Sequence, residues 1–349
     1  FRVLKEGGYL LSFAGTRTQH RMAVNIEDAG FEIRDMIAWV YGSGFPKSHN
    51  IGKAVDKLEG NEREDLGLDP AQVGRKQNVG QVAGMEGKYG KGEDRRVYLT
   101  KGTSEYEGWG TALKPALEPI TMARKPFKGT VANNVLKNGV GGINIDGCRV
   151  GVSDNDRKDI KGSTRGQVKG KGYVGNFGFN CNKEEVAYHK QGRFPANFIH
   201  DGSDEVKDVF PKKGRSTKAS NGGKKQYGGA IFGSTKGIYE HNIIYKDEGN
   251  ASRFFYCAKA SKKDREENNS HPTVKPTDLM RYLVRLVTPK NGIVLDCFMG
   301  SGSTGKACAL EGFEFVGIDL DKDYCEIAKA RIDKAIEDKK EDEAQQELF

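Results

Sequence analysis

The chain has 349 residues, enough for one large domain or two modest ones, and carries a net charge of +8 with a pI near 9.0. It contains no run of eighteen apolar residues and no recognisable secretory signal, so we expect a cytoplasmic protein without a membrane span. The excess of lysine and arginine favours a polyanionic partner. The six cysteines lack the spacing of metal sites, which is typical of reduced thiols.

The N-terminal part alternates between predicted strands and a predicted helix. Residues 9–14 (YLLSFA) and 31–41 (FEIRDMIAWVY) are rich in the aromatic and branched side chains that strands favour. Between them, Met22, Ile26 and Ala29 recur at helical spacing. The order strand, helix, strand is the building unit of a parallel α/β sheet.

A polar stretch then interrupts the pattern. Residues 57–108 are rich in glycine and charge, and we expect a long surface excursion there with little order. At 109–126 an apolar alternation returns, with Ile120 and Met122 between more polar neighbours. This alternation predicts a short strand that pairs antiparallel with 31–41 at a sheet edge.

Two windows between residues 127 and 250 combine glycine, basic side chains and aromatic rings. Residues 161–180 hold four basic residues and six glycines, residues 211–230 hold six basic residues, and neither window contains an acidic residue. Such loops suit phosphate contacts combined with base stacking, although a solvated surface loop has the same composition. The candidate nucleic-acid contacts are Lys161, Arg165, Lys169, Lys171, Lys212, Lys213, Arg215, Lys218, Lys224 and Lys225.

The C-terminal part contains two predicted helices around a strand, loop and helix motif. One helix begins after Pro276, with Thr277 as its N-cap, and buries a stripe of apolar residues at helical spacing. The other spans 322–336 and is followed by a charged tail at 337–349. Between them, residues 293–305 read IVLDCFMGSGSTG, which predicts a buried strand, a glycine-rich turn and a helix start that attracts a ligand.

Three ligands compete for this glycine-rich loop. The spacing Gly300-x-Gly302-x-x-Gly305 matches the dinucleotide fingerprint, and a second strand ends about twenty residues later in Asp319, an acid that could bind ribose hydroxyls. GSGSTGKA is close to a P-loop, but Ala307 stands where Ser or Thr must hold magnesium, which argues against an NTPase. S-adenosylmethionine needs the same loop and the same acid.

The place of the loop near the C-terminus bears on the fold. About thirty residues follow Asp319, too few to complete a doubly wound sheet, whereas an ordinary dinucleotide domain places its loop first. We therefore expect the remaining strands to come from the N-terminal half of the chain.

Three motifs in this order resemble those of the amino-methylating DNA methyltransferases, which modify adenine N6 or cytosine N4. They are HPTVKP at 271–276, DCFMGSGSTG at 296–305 and GIDLD at 317–321. Their order is similar to that of the permuted, beta-class members, in which the catalytic half precedes the target-recognition region and the cofactor motifs. The N-terminal stretches GGYLLSFAGTRTQHR and AGFEIRDMIAWVYGSGFPKS also resemble bacterial and phage members. The resemblance implies S-adenosylmethionine as cofactor, double-stranded DNA as substrate and a cognate restriction endonuclease in the same system.

The fold that the resemblance implies is α/β: a doubly wound, mostly parallel, Rossmann-like methyltransferase sheet, permuted, with an inserted loop-rich target-recognition region. Its parts in this chain are the catalytic half at 1–56 and 109–126, a polar glycine-rich insertion at 57–108, the target-recognition region at 127–250, the cofactor-binding half at 251–336 and the charged tail at 337–349.

Seven positions match cofactor-binding residues of the family. The resemblance places Thr273 and Lys275 at the methionine end of the cofactor, where a cation and a hydroxyl hold a carboxylate. It places Asp296 near the methionine amino group and Asp319 at the ribose. The full set is Thr273, Lys275, Asp296, Phe298, Gly300, Gly302 and Asp319. The structural alternatives are that Asp296 caps the loop, that Phe298 is a core residue and that Lys275 is exposed at a helix start.

The family's catalytic tetrapeptide, which is Asp, Asn or Ser followed by Pro-Pro and an aromatic residue, has no match because the sequence contains no Pro-Pro. In the permuted order this motif belongs just upstream of Phe1. We therefore expect an N-terminally truncated methyltransferase that prefers adenine, lacks catalytic residues of its own and is inactive alone. The alternatives are a non-catalytic DNA-binding homologue and an NAD-dependent oxidoreductase.

Overall fold

The computed structural model describes residues 1–44, 47–68, 98–152, 191–211, 249–259, 264 and 269–347. Within these residues no helix is both long enough and apolar enough to cross a membrane. The described strands are β1 (Tyr9–Phe13), β2 (Glu32–Val40), β3 (Glu64–Leu68), β4 (Tyr98–Lys101), β5 (Leu117–Arg124), β6 (Phe198–His200), β7 (Tyr256–Cys257), β8 (Ile293–Asp296) and β9 (Glu314–Gly317). The described helices are α1 (Gln19–Asp28), α2 (Ile51–Glu59), α3 (Val131–Asn138), α4 (Asp204–Lys207), α5 (Thr277–Val287), α6 (Ser303–Glu311) and α7 (Lys322–Glu347).

Five strands form the central sheet in the order β1-β5-β2-β6-β7. β5 is antiparallel to both of its neighbours, whereas β2, β6 and β7 are parallel to one another. The carboxyl ends of β1, β2, β6 and β7 therefore share one edge of the sheet with the start of β5. The strands predicted at 9–14, 31–41 and 109–126 are confirmed, and so is the antiparallel pairing of the last two.

β5 lies in the middle of this sheet, so its predicted place at an edge is wrong. Both of its faces are buried, and Ile120 has no exposed surface. The polar residues that suggested an open face are satisfied inside the protein. The Thr121 hydroxyl accepts a hydrogen bond from the Gln19 side chain at 3.4 Å, and Arg124 pairs with Glu32 at 2.7 Å. Burying a polar side chain costs little free energy when it has a hydrogen-bond partner. The alternation of apolar and polar residues in β5 therefore does not indicate an exposed face.

Helices cover both faces of the central sheet. On one face, α1 and Leu10 of β1 line a shallow apolar groove. On the other face, the buried side chains of α5 and α6 join Ile37, Ile120 and Ile199 in one apolar core. Tyr282 of α5 stacks on Tyr256 of β7 with ring centroids 4.1 Å apart. This is the doubly wound α/β arrangement that the sequence predicts.

Residues 50–111 contain more structure than the sequence suggests. β3 and β4 form an antiparallel pair. Arg63, just before β3, connects this pair to α2 and to the segment that follows β4, because it forms an ion pair with the fully buried Asp56 and another with Glu107 at 2.9 Å. Residues 69–97 lie outside the described part of the chain. Charged residues suggested a solvated excursion in this region. At its two ends, these charges form ion pairs with one another instead.

The C-terminal part alternates helix and strand as predicted, with two differences at the helix ends. Thr277 is the first residue of α5 rather than its N-cap, and its N–H donates to the Asp264 carboxylate at 3.0 Å. A capping acid thirteen positions upstream leaves no local pattern in the sequence. The last helix continues through the predicted charged tail and spans Lys322–Glu347.

β8 and β9 form a separate parallel pair, whereas the sequence predicts that they extend the N-terminal sheet. Among the described residues, β8 pairs with β9 alone and β1 pairs with β5 alone. One face of the β8–β9 pair is open. The exposed fraction of the residues on this face is 64 % for Ile293, 43 % for Leu295, 49 % for Val316 and 51 % for Ile318.

Candidate functional site

The glycine-rich loop connects β8 to α6 and is held in shape by Asp296. One oxygen of the Asp296 carboxylate accepts from the Phe298 N–H at 3.0 Å, and the other accepts from the Thr304 hydroxyl at 2.6 Å. The carboxylate thus fixes both ends of the loop, from the last residue of the strand to the first turn of the helix. Among the described contacts, Asp296 has the capping role that the sequence left open as its structural alternative.

Gly300 and Gly302 meet steric demands that other residues would not. Their φ angles are +50° and +74°, in the left-handed region that side chains disfavour. A Cβ on Gly302 would lie 2.7 Å from the Cβ of Ala328 in α7, and one on Gly300 would lie 2.8 Å from Nε2 of His271. The loop therefore packs closely on α7 and on the HPTVKP segment, and the N–H groups at the start of α6 are presented beside it.

Arg331 of α7 supports the loop from below, a role that the sequence reasoning missed. It is 4 % exposed, and its guanidinium donates to the backbone oxygen of Ser301, to the Ser301 hydroxyl at 3.0 Å and to the Asp264 carbonyl at 2.7 Å. One signal was present in the sequence. Arg331 is three residues from Ala328, on the helix face that is otherwise apolar, and an arginine there indicates a buried polar partner.

Asp319 follows β9 and reaches back to the loop. One carboxylate oxygen accepts from the Asp321 N–H at 3.0 Å and the other from the Gly300 N–H at 2.8 Å. These two backbone hydrogen bonds lower the pKa of Asp319 below its ordinary value, so the group is ionised at neutral pH. Gly300 and Asp319, nineteen positions apart in the sequence, thus meet at the carboxyl ends of β8 and β9, where α/β sheets bind ligands.

The HPTVKP segment runs from the loop to the central sheet. His271 packs edge-on against Tyr324 of α7, with ring centroids 4.5 Å apart, and its Nδ1 accepts from the Thr273 N–H at 3.2 Å. At the other end, Lys275 forms an ion pair with Glu118 at the start of β5. His271 and Glu118 are further residues of this region that the sequence reasoning did not select.

Lys275 lies at the carboxyl edge of the central sheet. Its Nζ is 4.9 Å from the centre of the Phe13 ring and 5.7 Å from that of Trp39, distances at which cation–π attraction contributes. Burial and the nearby Glu118 charge raise the pKa of Tyr41, whose ring contacts that of Trp39 in a tilted arrangement. The Trp39 indole N–H is buried and has no hydrogen-bond partner among the described residues. Lys275 is therefore part of a built cluster rather than a solvated residue at a helix start.

The remaining predicted site residues differ in their placement. Phe298 is 90 % exposed, so it does not belong to the core. Thr273 is exposed and its backbone N–H is bonded to His271. The basic residues proposed for nucleic-acid contact, from Lys161 to Lys225, all lie outside the described residues.

Comparison with known proteins gives a family match over most of the chain. A family model for DNA methylases, N6_N4_Mtase, matches residues 1–330. The type II methyltransferase M2.LlaDCHI of Lactococcus lactis subsp. cremoris is 34 % identical over 97 residues, 28 % of this chain and 36 % of that protein. M.HindIII of Haemophilus influenzae is 27 % identical over 147 residues, 41 % of this chain and 35 % of that protein. The DNA adenine methyltransferase YhdJ of Escherichia coli K12 is 34 % identical over 70 residues, 20 % of this chain and 24 % of that protein. The chain thus spans about a third or less of these curated relatives.

Solved structures of DNA methylases give a weaker likeness. M1.HpyAVI in complex with SAM is 14 % identical, with a TM-score of 0.35 over 95 % of this chain and 77 % of that one. A DNA modification methylase from Thermus thermophilus, complexed with S-adenosyl-L-methionine, is 14 % identical, with a TM-score of 0.34 over 96 % of this chain and 72 % of that one. These superpositions do not locate individual residues.

Proposed function

The chain belongs to the N6/N4 DNA methylase family, and we propose that it is the S-adenosylmethionine-binding part of an enzyme that methylates an exocyclic amine of a DNA base. When bound, S-adenosylmethionine supplies a methyl group on a positively charged sulfur. The chain's own residues then have to hold two substrates in line for a direct displacement, a task that lowers the barrier by roughly 7–11 kcal/mol in favourable cases.

The observation that carries this proposal is the hydrogen bond between the Asp319 carboxylate and the Gly300 N–H at 2.8 Å. It places an ionised acid next to the start of α6, so hydroxyl donors and a polar ligand group can be bound within one cradle. Each carboxylate oxygen has a second lone pair left for a ribose hydroxyl. In this assignment Asp319 binds the ribose, and Gly300 and Gly302 let the ligand approach the backbone.

The other residues predicted to bind the cofactor are assigned roles that agree with their contacts in the structure. We propose that the exposed Phe298 ring lies against the ligand and that Asp296 acts mainly by shaping the loop. Lys275 keeps its predicted place near the methionine carboxylate, but it already neutralises Glu118. A ligand carboxylate would therefore share this cation with Glu118, with the Thr273 hydroxyl as a further donor.

Calorimetric titration of the chain with S-adenosylmethionine and with NAD tests the ligand. We expect S-adenosylmethionine to bind, and Asp319→Asn to weaken it by roughly 10- to 100-fold, because an ionic hydrogen-bond acceptor is lost. Asp323→Asn, a change of another exposed acid in the first turn of α7, is the matched control and should leave the affinity unchanged. Binding of NAD alone would instead support an oxidoreductase.

We further propose that one strand, followed by a helix, lies between β1 and β8 and carries the catalytic tetrapeptide. Both strands have an edge without a partner among the described residues, and unpaired edges are ordinarily covered. The open apolar face at Ile293 and Val316 and the groove beside Leu10 supply surface for the helix. The absence of Pro-Pro from the sequence is also compatible with a non-catalytic DNA-binding protein, which is the second candidate.

A longer form of the protein, translated from the next upstream start codon, separates these two candidates. We expect it to transfer labelled methyl groups to DNA, which the 349-residue chain should not do, and to slow amide hydrogen exchange in β1 and β8. Replacing the first residue of its tetrapeptide by Ala should abolish transfer and preserve the slowed exchange. A longer form that leaves exchange in both strands unchanged would contradict the inserted strand.

The substrate is proposed to be double-stranded DNA, with adenine N6 as the methylated atom. The family resemblance and the name of the Escherichia coli relative support adenine. The lysines and arginines between Lys161 and Lys225 would supply the phosphate contacts, and a restriction endonuclease of the same specificity would be the partner in the cell. Methylation mapping of DNA from cells that express the longer form identifies the base and the site; N4-methylcytosine would overturn the adenine assignment.

A further inference from the structure

An exposed pair of aromatic rings lies on the loop that precedes β5. Trp109 is 63 % exposed and Tyr106 is 40 % exposed, and their ring centroids are 5.8 Å apart in an edge-to-face arrangement. The chain has two tryptophans, and the other one, Trp39, is 8 % exposed in the core. Large aromatic rings that meet each other and remain open to solvent are typical of interaction surfaces. We call residues 104–111 the aromatic loop.

The aromatic loop is rigidly mounted. Its backbone is bound to the start of α2 and to the segment before it. The Ile51 N–H donates to the Trp109 carbonyl at 3.0 Å, and the Thr111 N–H donates to the Ser48 hydroxyl at 2.9 Å. On its other side, Glu107 is fixed by Arg63 at 2.9 Å. A ring that is held in place before binding loses little conformational freedom when a ligand stacks on it.

The position of the loop relates it to the site described above. Six residues after Thr111, the chain enters β5, and Glu118 there binds Lys275 at the carboxyl edge of the central sheet. The Tyr41 N–H, at the end of β2, donates to the Ala116 carbonyl and fixes this connection at 3.0 Å. The aromatic loop therefore extends from the same edge of the sheet at which Lys275 lies.

The charges around the loop favour an anionic partner. Lys47, Lys53 and Lys114 are exposed on the segments that flank it, and Glu105 is the exposed acid on the loop itself. Lys101 of β4 is also exposed, but it lies opposite the exposed Glu64 of β3. Glu107 and Asp56 are neutralised by Arg63. Basic side chains around an aromatic pair are the combination with which proteins hold a phosphate backbone and stack on its bases.

We propose that Trp109, supported by Tyr106, stacks on an unpaired or splayed base of DNA while the flanking lysines contact its phosphates. This inference rests on the proposed function, since it assumes that the polyanion is DNA. The proposal adds a DNA contact that lies outside the glycine-rich loop and within the described part of the chain. Stacking selects against fully paired DNA, because bases inside an intact duplex do not present a free ring face.

Tryptophan fluorescence tests the stacking directly. DNA that contains one unpaired base should quench the emission of Trp109 more strongly than the same duplex fully paired, whereas Trp39 in the core remains unaffected. Trp109→Phe should remove the quenching but keep the affinity. If DNA binds the wild-type chain without quenching, the proposal is wrong.

Equilibrium binding to the same labelled DNA measures the contribution. Trp109→Ala should weaken binding to DNA with an unpaired base by roughly 5- to 100-fold. Leu136→Ala, on the 86 % exposed Leu136 of α3, is the matched control and should have no effect. Equal affinity of the Trp109→Ala and wild-type chains would overturn the proposal, and so would a change of oligomeric state in Trp109→Ala with DNA affinity intact, since that marks a protein interface.

The outcome is separable from that of the proposed function. In the proposal, S-adenosylmethionine binding depends on Asp319 and the glycine-rich loop and not on Trp109. Intact cofactor binding with no effect of Trp109→Ala on DNA affinity would overturn the stacking alone. DNA-dependent quenching in a protein that binds no S-adenosylmethionine would overturn the enzyme and keep the stacking, and a chain that binds no DNA would contradict both.

Discussion

The central sheet and the β8–β9 pair are built from similar apolar strands but are covered differently. β5 is buried on both faces, and Ile120 has no exposed surface. β8 and β9 alternate between half-buried and exposed residues, and Ile293 is 64 % exposed. Parallel strands are ordinarily covered on both faces. Among the described residues, helices cover one face of the β8–β9 pair and both faces of the central sheet. Within the described residues, one apolar face of the β8–β9 pair is therefore exposed.

The two sheets are nevertheless connected through one set of side chains. Buried side chains of α5 and α6 share one apolar core with Ile120 of the central sheet, and Val294 and Phe315 of the β8–β9 pair pack against this core. At the edge, the Lys275–Glu118 pair joins the HPTVKP segment to the start of β5. The open face of the β8–β9 pair is thus a local feature of a connected core.

The largest expected effect is that of Ile120→Ala in the central sheet. Truncating a fully buried isoleucine should lower the free energy of unfolding by about 2–5 kcal/mol, because apolar contacts are lost and a cavity remains. Ile293→Ala, on the open face, should cost less than about 0.5 kcal/mol in this chain. Urea denaturation of both variants checks the comparison.

The same pair of variants also tests the proposed additional strand and helix. If a further helix covers β8, the cost of Ile293→Ala should rise to several times its value in the 349-residue chain, while that of Ile120→Ala stays the same. A low cost of Ile293→Ala in both forms would indicate that this face stays open.

Sequence reasoning found the elements whose cause is local. The period-two and helical patterns around residues 9–41 gave β1, α1 and β2, and the glycine spacing gave the loop at Gly300 and Gly302. It failed where the partner is remote. Arg331 and Ser301 are thirty positions apart, and Lys275 and Glu118 are 157 apart, so neither contact has a local pattern.

The placement of β5 failed for a related reason. Thr121 and Arg124 made the strand look half exposed, and their polar partners, Gln19 and Glu32, come from α1 and β2. The order of strands within a sheet depends on such contacts between residues that are far apart in the sequence. A single sequence carries no local pattern from which these contacts can be predicted. Similarly, the charges of Asp56, Arg63 and Glu107 suggested solvent until their mutual pairing was visible.

The intermediate effect is the coupling across the Lys275–Glu118 pair. Its two side chains are 27 % and 25 % exposed, so solvent screens the attraction in part. A double-mutant cycle with Lys275→Met and Glu118→Gln should give a coupling of roughly 1 kcal/mol in the free energy of unfolding. The matched control is the exposed pair Lys329 and Asp333 on α7, whose coupling should be near zero. Equal coupling in the two cycles would mean that Lys275 does not join the two sheets.

The smallest expected effect is a difference in pH response between the two sheets. His200 of β6 is 2 % exposed; its Nδ1 accepts from the Gly202 N–H at 3.1 Å, and its Nε2 lies 3.2 Å from the Ser252 carbonyl. Burial lowers its pKa below the ordinary 6.5, so the unfolded chain binds this proton more readily than the folded one. The stability contributed by neutral His200 is therefore complete above about pH 6.5 and is lost as the pH falls through the folded pKa.

Asp319 beside β9 responds in a lower range. Its folded pKa is depressed below 3.8, so its contribution is complete above that pH and is lost only in stronger acid. Between about pH 5 and 7, the free energy of unfolding of the wild-type chain should thus fall with falling pH in part through His200. His200→Gln should flatten that slope, whereas Asp319→Asn should shift the whole curve without changing its slope. An unchanged slope in His200→Gln would mean that the central sheet does not supply the pH dependence, because the ring would then be titrating alike in the folded and unfolded chains.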